Sequence, residues 1–306
     1  MKKENHKPYV IHSISELHRI LALPKPEHPL VSVIDFEEIT CFSDEAYKSL
    51  AYGLYCIALK KGFEGKMKYG QNDYDFDEGV MSFFSPNQVV TTEITPDLKL
   101  SGWWLVIHPD FLLNYTLSKA IKEYGYFSYA VNEALHLSDK EELQVIAIMK
   151  SLQQEYLSPI DQYSQDVMIS QIELLLNYCN RFYNRQFITR KHVSHDLLVS
   201  AEGLLTAFFE DDSLILKGVP TVQLLAAKLN VSPHYLSDML RQLTGQNAQQ
   251  HIQNKLMERA KELLTTTSLS VSEIAYKLGF EYPQSFNKLF KNKMSVSPVT
   301  FRTSFE

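Results

Sequence analysis

The sequence predicts an α+β fold: a β-rich front region followed by helices, then an all-α C-terminal region in which two helix-turn-helix units are joined by a long helix. Three observations lead there. Between Leu30 and Leu113 apolar residues fall in short strand-like runs, whereas from Ser138 onward they repeat at three and four. A short pattern near the C-terminus occurs twice, which marks an internal repeat. Charge is also divided: residues 217–305 hold 11 Lys or Arg against 5 Asp or Glu, a balance of +6, while residues 1–216 hold 19 basic and 30 acidic groups. A chain of 306 residues has room for two domains at roughly 150 residues each. The predicted organisation is an N-terminal domain at 1–183 (β-rich over 30–113, helical over 138–183), a linker at 184–196, and a C-terminal domain at 197–306.

Composition excludes several classes. With 45% hydrophobic and 22% charged residues, and 17 Tyr and 17 Phe to fill a core, the chain is not disordered. Cys41, Cys56 and Cys179 are odd in number and far apart, so they predict buried small hydrophobes, not a disulfide framework or thiolate metal site. No His-x-His pair occurs among the 10 histidines, and His192 and His195 fall in the predicted linker, so no metal site and no cofactor are assigned. No nucleophile-base-acid arrangement stands out, which points away from an enzyme and leaves no catalytic residue. No apolar run reaches the ~18 residues of a membrane span, and the polar N-terminus predicts a cytoplasmic protein without a membrane partner.

Ser13-Ile14-Ser15-Glu16 predicts a capping box and a helix from Ser13 to Leu21, ended by Leu23-Pro24-Lys25-Pro26. Strands are expected at Leu30–Glu37, Gly53–Leu59, Gly79–Phe84, Val89–Ile94 and Leu100–His108, arranged as an antiparallel sandwich or barrel. Trp103 and Trp104 fall on alternate faces of the last of these, so one points inward, as core or toward a ligand. Ser138-Asp139-Lys140-Glu141 opens a helix reaching Tyr156, and a second runs from about Asp161 to Tyr183. Its stripe of Ile169, Ile172, Leu175, Leu176, Cys179 and Phe182 fits either core or a dimer seam. Residues 184–196 are polar, basic and unpatterned.

Leu225-Ala226-Ala227-Lys228-Leu229 recurs 49 residues later as Ile274-Ala275-Tyr276-Lys277-Leu278. Leu236-Ser237-Asp238-Met239-Leu240 recurs 50 residues later as Phe286-Asn287-Lys288-Leu289-Phe290. Each copy predicts a short helix, a tight turn and a second helix. Ala226 and Ala275 are small where the two helices of each unit come closest. Opposite the apolar face, the second helices present His234, Ser237, Asp238 and Arg241 in one copy and Gln284, Asn287, Lys288 and Lys291 in the other. Such side chains suit base edges and phosphates. Asn247–Thr266 predicts one connecting helix of roughly 30 Å at ~1.5 Å per residue, close to the ~34 Å between successive major-groove turns.

Ser232-Pro233-His234-Tyr235-Leu236-Ser237, Thr244-Gly245, Glu258 to Leu264, Ile274 to Phe280 and Ser297-Pro298-Val299-Thr300-Phe301-Arg302 follow one another in a familiar order and spacing. On these residues the stretch from about Ser200 to Phe305 resembles the DNA-binding domain of the AraC/XylS family of transcription regulators.

The resemblance implies base contacts from His234, Ser237 and Asp238, then Gln284, Asn287 and Lys288, on double-stranded DNA. Asp238 departs from the basic or amide residue usual there. It fits selectivity for a cytosine amino group, a weak first unit, or an ion pair with Arg241 one turn on. Ser295 replaces a glycine usual before the final Ser-Pro. The resemblance further implies an N-terminal cupin-like β-barrel holding a small-molecule effector, a homodimer formed by the following helices, contact with RNA polymerase, and activation. Two other readings stay open: a regulator held by a protein partner with no small ligand, and a cupin enzyme with an accessory DNA-binding tail, against which the missing histidine cluster weighs.

Overall fold

A computed structural model of the chain describes residues 9–39, 49–61, 79–91, 101–129, 133–189, 191–210 and 218–304. Cys41 and residues 92–94 of an expected strand lie outside them. The chain divides into two compact units, Met1–Gln186 and Phe187–Glu306.

In the first unit, β1 (Tyr9–Ile11), β3 (Ser49–Tyr52) and β6 (Gln88–Thr91) form a small sheet in the order β1-β3-β6. The larger sheet contains β2 (Val31–Asp35), β4 (Tyr55–Lys61), β5 (Val80–Phe84), β7 (Ser101–Ile107) and β8 (Leu135–His136), in the order β2-β7-β4-β5-β8. All its pairings are antiparallel. Gly102 of β7 pairs with Lys60 of β4, with a φ of +115°, and a Cβ there would overlap the Leu59 carbonyl oxygen. Only glycine tolerates both conditions.

The described residues do not form the expected cupin-like barrel. Among the described residues the strands make two separate sheets, with β2 and β8 as unjoined edges of the larger. Closure needs a continuous ladder around the ring. Here β8 contributes two residues, paired only to Val80 and Met81, and β1 runs parallel to β3. The core instead lies between the sheets under α1 (Ile14–Ile20), with Ile11, Leu17, Ile34, Tyr52, Cys56, Phe84 and Trp104 buried together. Trp104 stacks on Phe36 at 5.9 Å and meets Tyr52 edge-on at 5.7 Å, so the inward tryptophan is core. Ser13 caps α1 as expected, but Glu16 reaches past Ser13 to accept from the His12 N–H at 2.8 Å.

The other face of the large sheet is covered by α2 (Asp139–Leu157), which packs on β2 and β7, and by α3 (Ser164–Thr189). Cys179 on α3 approaches Met81 of β5 at 3.7 Å, and Phe83 meets Tyr126 at 4.6 Å. A sheet covered on both faces explains why β5 is buried at every residue instead of alternating. Ile169, Ile172, Leu175, Leu176, Cys179 and Phe182 are all buried within this unit, so that stripe is core. The cavity beside this layer, lined by Ser82, Phe83, Tyr126, Tyr129 and Tyr183 among others, measures about 10 Å³. That volume holds at most one water.

The stretch 184–196, expected as a linker, is helical where described: α3 extends to Thr189 and α4 spans Lys191–Glu210. Arg185 and Gln186 stabilise this extension, Arg185 by two bonds to Glu141 at 2.6 and 3.0 Å and one to the His136 carbonyl at 2.8 Å. Gln186 accepts from the His136 N–H at 2.8 Å. These partners are distant in sequence, and no periodic pattern announces them.

The second unit is helical: α4, then α5 (Val222–Lys228), α6 (Pro233–Thr244), α7 (Ala248–Thr266), α8 (Val271–Lys277), α9 (Pro283–Met294) and α10 (Pro298–Thr303). Helix α7 packs against α4, α5, α6, α8 and α10. Its inner face of Ile252, Leu256, Ala260, Leu263 and Leu264 is buried.

Candidate nucleic-acid interface

Each repeat builds a helix pair around a sharp corner. Thr221 caps α5 by accepting from the Leu224 N–H at 3.2 Å, and Ser232 caps α6 from the Tyr235 N–H at 3.2 Å. Between them Asn230 turns the chain with a φ of 56°. In the second copy a capping box of Ser270 and Glu273 starts α8, and Gly279, at the position matching Asn230, turns with a φ of 87°. Asn and Gly are the residues that adopt this left-handed conformation most readily. At Gly279 a Cβ would also lie 2.7 Å from the Gly218 carbonyl carbon, so asparagine does not fit the second copy. Hydrogen bonding to Ser270 holds the exposed Glu273 carboxyl below its usual pKa of 4.5.

Leu225, Ala226, Leu236, Met239 and Leu240 are buried in the first pair, and Ile274, Ala275, Leu278, Phe286 and Phe290 in the second. Phenylalanine replaces leucine at two matched positions. The ring series Phe280, Phe286, Phe290 and Phe301 then runs at 5.5 to 5.6 Å spacing into α10.

This packing leaves the opposite faces outward. His234 and Arg241 are exposed on α6, with Ser237 and Asp238 half-buried beside them; Gln284, Asn287, Lys288 and Lys291 are exposed on α9. Each set follows i, i+3, i+4, i+7 and occupies one side of its helix. The 19 residues of α7 span about 28 Å between the two pairs.

The positive balance of this unit resolves unevenly. Arg241 pairs with Asp238 at 3.0 Å, Lys255 with Glu258 at 3.3 Å, and Arg259 with Glu262 at 2.7 Å. Lys228 sits 5.5 Å from the centre of the Phe208 ring. Arg302 is structural: its guanidinium donates to the Leu264 carbonyl at 3.1 Å and the Leu269 carbonyl at 2.6 Å, fastening the α7–α8 corner. Counting charges in the sequence does not separate such a residue from a surface one. Lys288, Lys291 and Lys293 are exposed and make no ion pair among the described residues, so the outward charge concentrates on α9. Lys293 extends this group by one side chain beyond the sequence expectation.

Ser295, in place of the expected glycine, adopts the same left-handed turn at the end of α9 (φ 63°) that Gly245 adopts at the end of α6 (φ 77°). No helix among the described residues is long and apolar enough to cross a membrane.

A family model for a helix-turn-helix domain matches residues 225–304. The Msm operon regulatory protein of Streptococcus mutans is 35% identical over 82 residues, covering 27% of this chain and 30% of that protein. The HTH-type transcriptional regulator YfiF of Bacillus subtilis is 25% identical over 167 residues, covering 52% of this chain and 50% of that protein. The chain thus spans half or less of the length of these relatives. Among solved structures, an AraC-type transcriptional regulator from Chromobacterium violaceum matches at 23% identity and a TM-score of 0.32, covering 37% of this chain and 96% of that one. Residues 225–304 thus form a helix-turn-helix domain of the AraC/XylS type, the kind found in DNA-binding transcriptional regulators.

Proposed function

We propose that this regulator reads double-stranded DNA by inserting α6 and α9 into successive major grooves, with His234, Ser237, Asp238 and Arg241 facing one and Gln284, Asn287, Lys288 and Lys291 the other. The observation that carries this reading is the pair of outward polar faces on opposite ends of a ~28 Å helix, near the ~34 Å groove repeat. A C-terminal reader of this kind works in the cytoplasm on chromosomal DNA, as a homodimer whose two copies address a two-fold operator and contact RNA polymerase beside it.

The expectation of a small effector inside an N-terminal barrel is corrected. No barrel is formed by the described strands, and the cavity beside the tyrosine layer measures about 10 Å³. Control by a protein partner is the better-supported reading. The corner joining α2 and α3 carries Leu157, Ile160 and Tyr163, each more than 60% exposed and close in sequence.

Footprinting of the full-length protein on fragments of its host genome, at fixed salt, tests the DNA reading. Two protected major-groove segments about one helical turn apart per subunit are expected. Protection of a single groove, or of none, refutes it. A metabolite series that leaves the melting temperature unchanged is expected under partner control, because a ligand of the native state raises it.

A further inference from the structure

We infer that the Asp238–Arg241 pair on α6 is a specificity element that selects a C·G base pair in the groove read by the first unit. The inference rests on the proposed DNA reading and names what that face recognises. Asp238 Oδ1 and Arg241 Nη1 lie 3.0 Å apart on the outward side of α6, so the face presents an acceptor beside a row of donors. Across the major groove, a C·G pair presents the cytosine amino donor followed by the adjacent guanine O6 and N7 acceptors. The two patterns are complementary in order. Only guanine offers two neighbouring acceptors to a guanidinium fork, and an A·T pair places the thymine methyl on the same edge.

Charge supports the assignment. The outward set of α6 carries one Asp and one Arg, whereas that of α9 carries Lys288 and Lys291, with Lys293 close by. A net-neutral face contributes little to phosphate attraction, and its Asp238 repels DNA that offers no amino group. Arg241 is meanwhile held by Asp238 on random sequence. The pair therefore works by penalising wrong sites as well as by matching the right one.

Selection from a randomised duplex library by the full-length protein, repeated with Asp238→Asn and with Arg241→Gln at the same salt, tests this. Wild-type protein is expected to fix one C·G position in the first half of its site, with about tenfold preference. Asp238→Asn is expected to lose that preference, to leave the positions read by α9 unchanged, and to bind random DNA several-fold more tightly. Arg241→Gln is expected to lose the same position. These substitutions lie on an outward face, and unchanged melting temperatures confirm the variants fold. Retained C·G preference in Asp238→Asn, or an A·T pair fixed by the wild type, overturns this inference while leaving the DNA reading standing. Failure of the wild type to select any sequence overturns both.

Discussion

Ser295 shows how one side chain can carry a cost that its matched position avoids. Gly245 ends α6 and Ser295 ends α9, both in the left-handed region, but a Cβ in that conformation is unfavourable by about 1–2 kcal/mol. Glycine recovers part of this, offset by its greater freedom in the unfolded chain. Ser295→Gly is therefore expected to stabilise the C-terminal unit by about 0.5–1 kcal/mol, read as a higher urea midpoint at unchanged slope. His251, bonded to Thr244 at 2.8 Å, carries a second residue-level prediction. Burial holds its pKa below the usual 6.5, partly countered by Glu202. The unfolded chain then binds the proton more readily, so this contribution is present above pH 6.5 and is lost as pH falls through the folded value. Stability measured from pH 7.5 down to pH 5 is expected to fall less in His251→Gln than in the wild type.

Among elements, the α7–α8 corner depends on Arg302. Removing a guanidinium that donates to two carbonyls is expected to cost about 2–4 kcal/mol, because hydrogen bonds to charged groups contribute about 1.5–3 kcal/mol each and do not add fully. Arg302→Ala should lower the melting temperature while leaving the salt dependence of DNA binding unchanged, unlike removal of a phosphate-facing lysine. Element type was legible where it rests on local chemistry. The start of α7 is announced by Asn247 and Gln250, and the start of α8 by Ser270 and Glu273. The helical course of 184–196 was not, because it depends on Arg185 and Gln186 finding Glu141, Ala134 and His136 about 50 residues away. Strand positions were legible and their order was not. Nothing in the run Tyr9–Ile11 signals a parallel partner at Ser49–Tyr52, so open sheets and a closed barrel look alike in the sequence. The outward faces of α6 and α9 were legible from spacing, whereas the commitment of Arg302 to the Leu264 and Leu269 carbonyls emerges only from the fold.

For the molecule as a whole, the charge division makes salt the sensitive variable. Removing one cation that neutralises a phosphate should make the slope of log K against log salt less negative by about 0.9. Lys288→Ala is expected to weaken binding and to reduce the slope by about that amount; Arg241→Gln, whose charge is already paired, should change the slope less. A footprint and slope unaltered in Lys288→Ala would remove α9 from the reading surface. The unequal charge of α6 and α9 also bears on how a regulator that reads DNA as proposed would drift through evolution. Under the proposed reading, losing phosphate-directed charge from α9 lowers occupancy at all sites together, as a volume control does. Exchanging Asp238 changes which base pair the first unit prefers while the lysines of α9 stay in place, so under the same reading one lineage can shift its targets by single substitutions in the neutral helix while the basic helix maintains its hold on the chromosome.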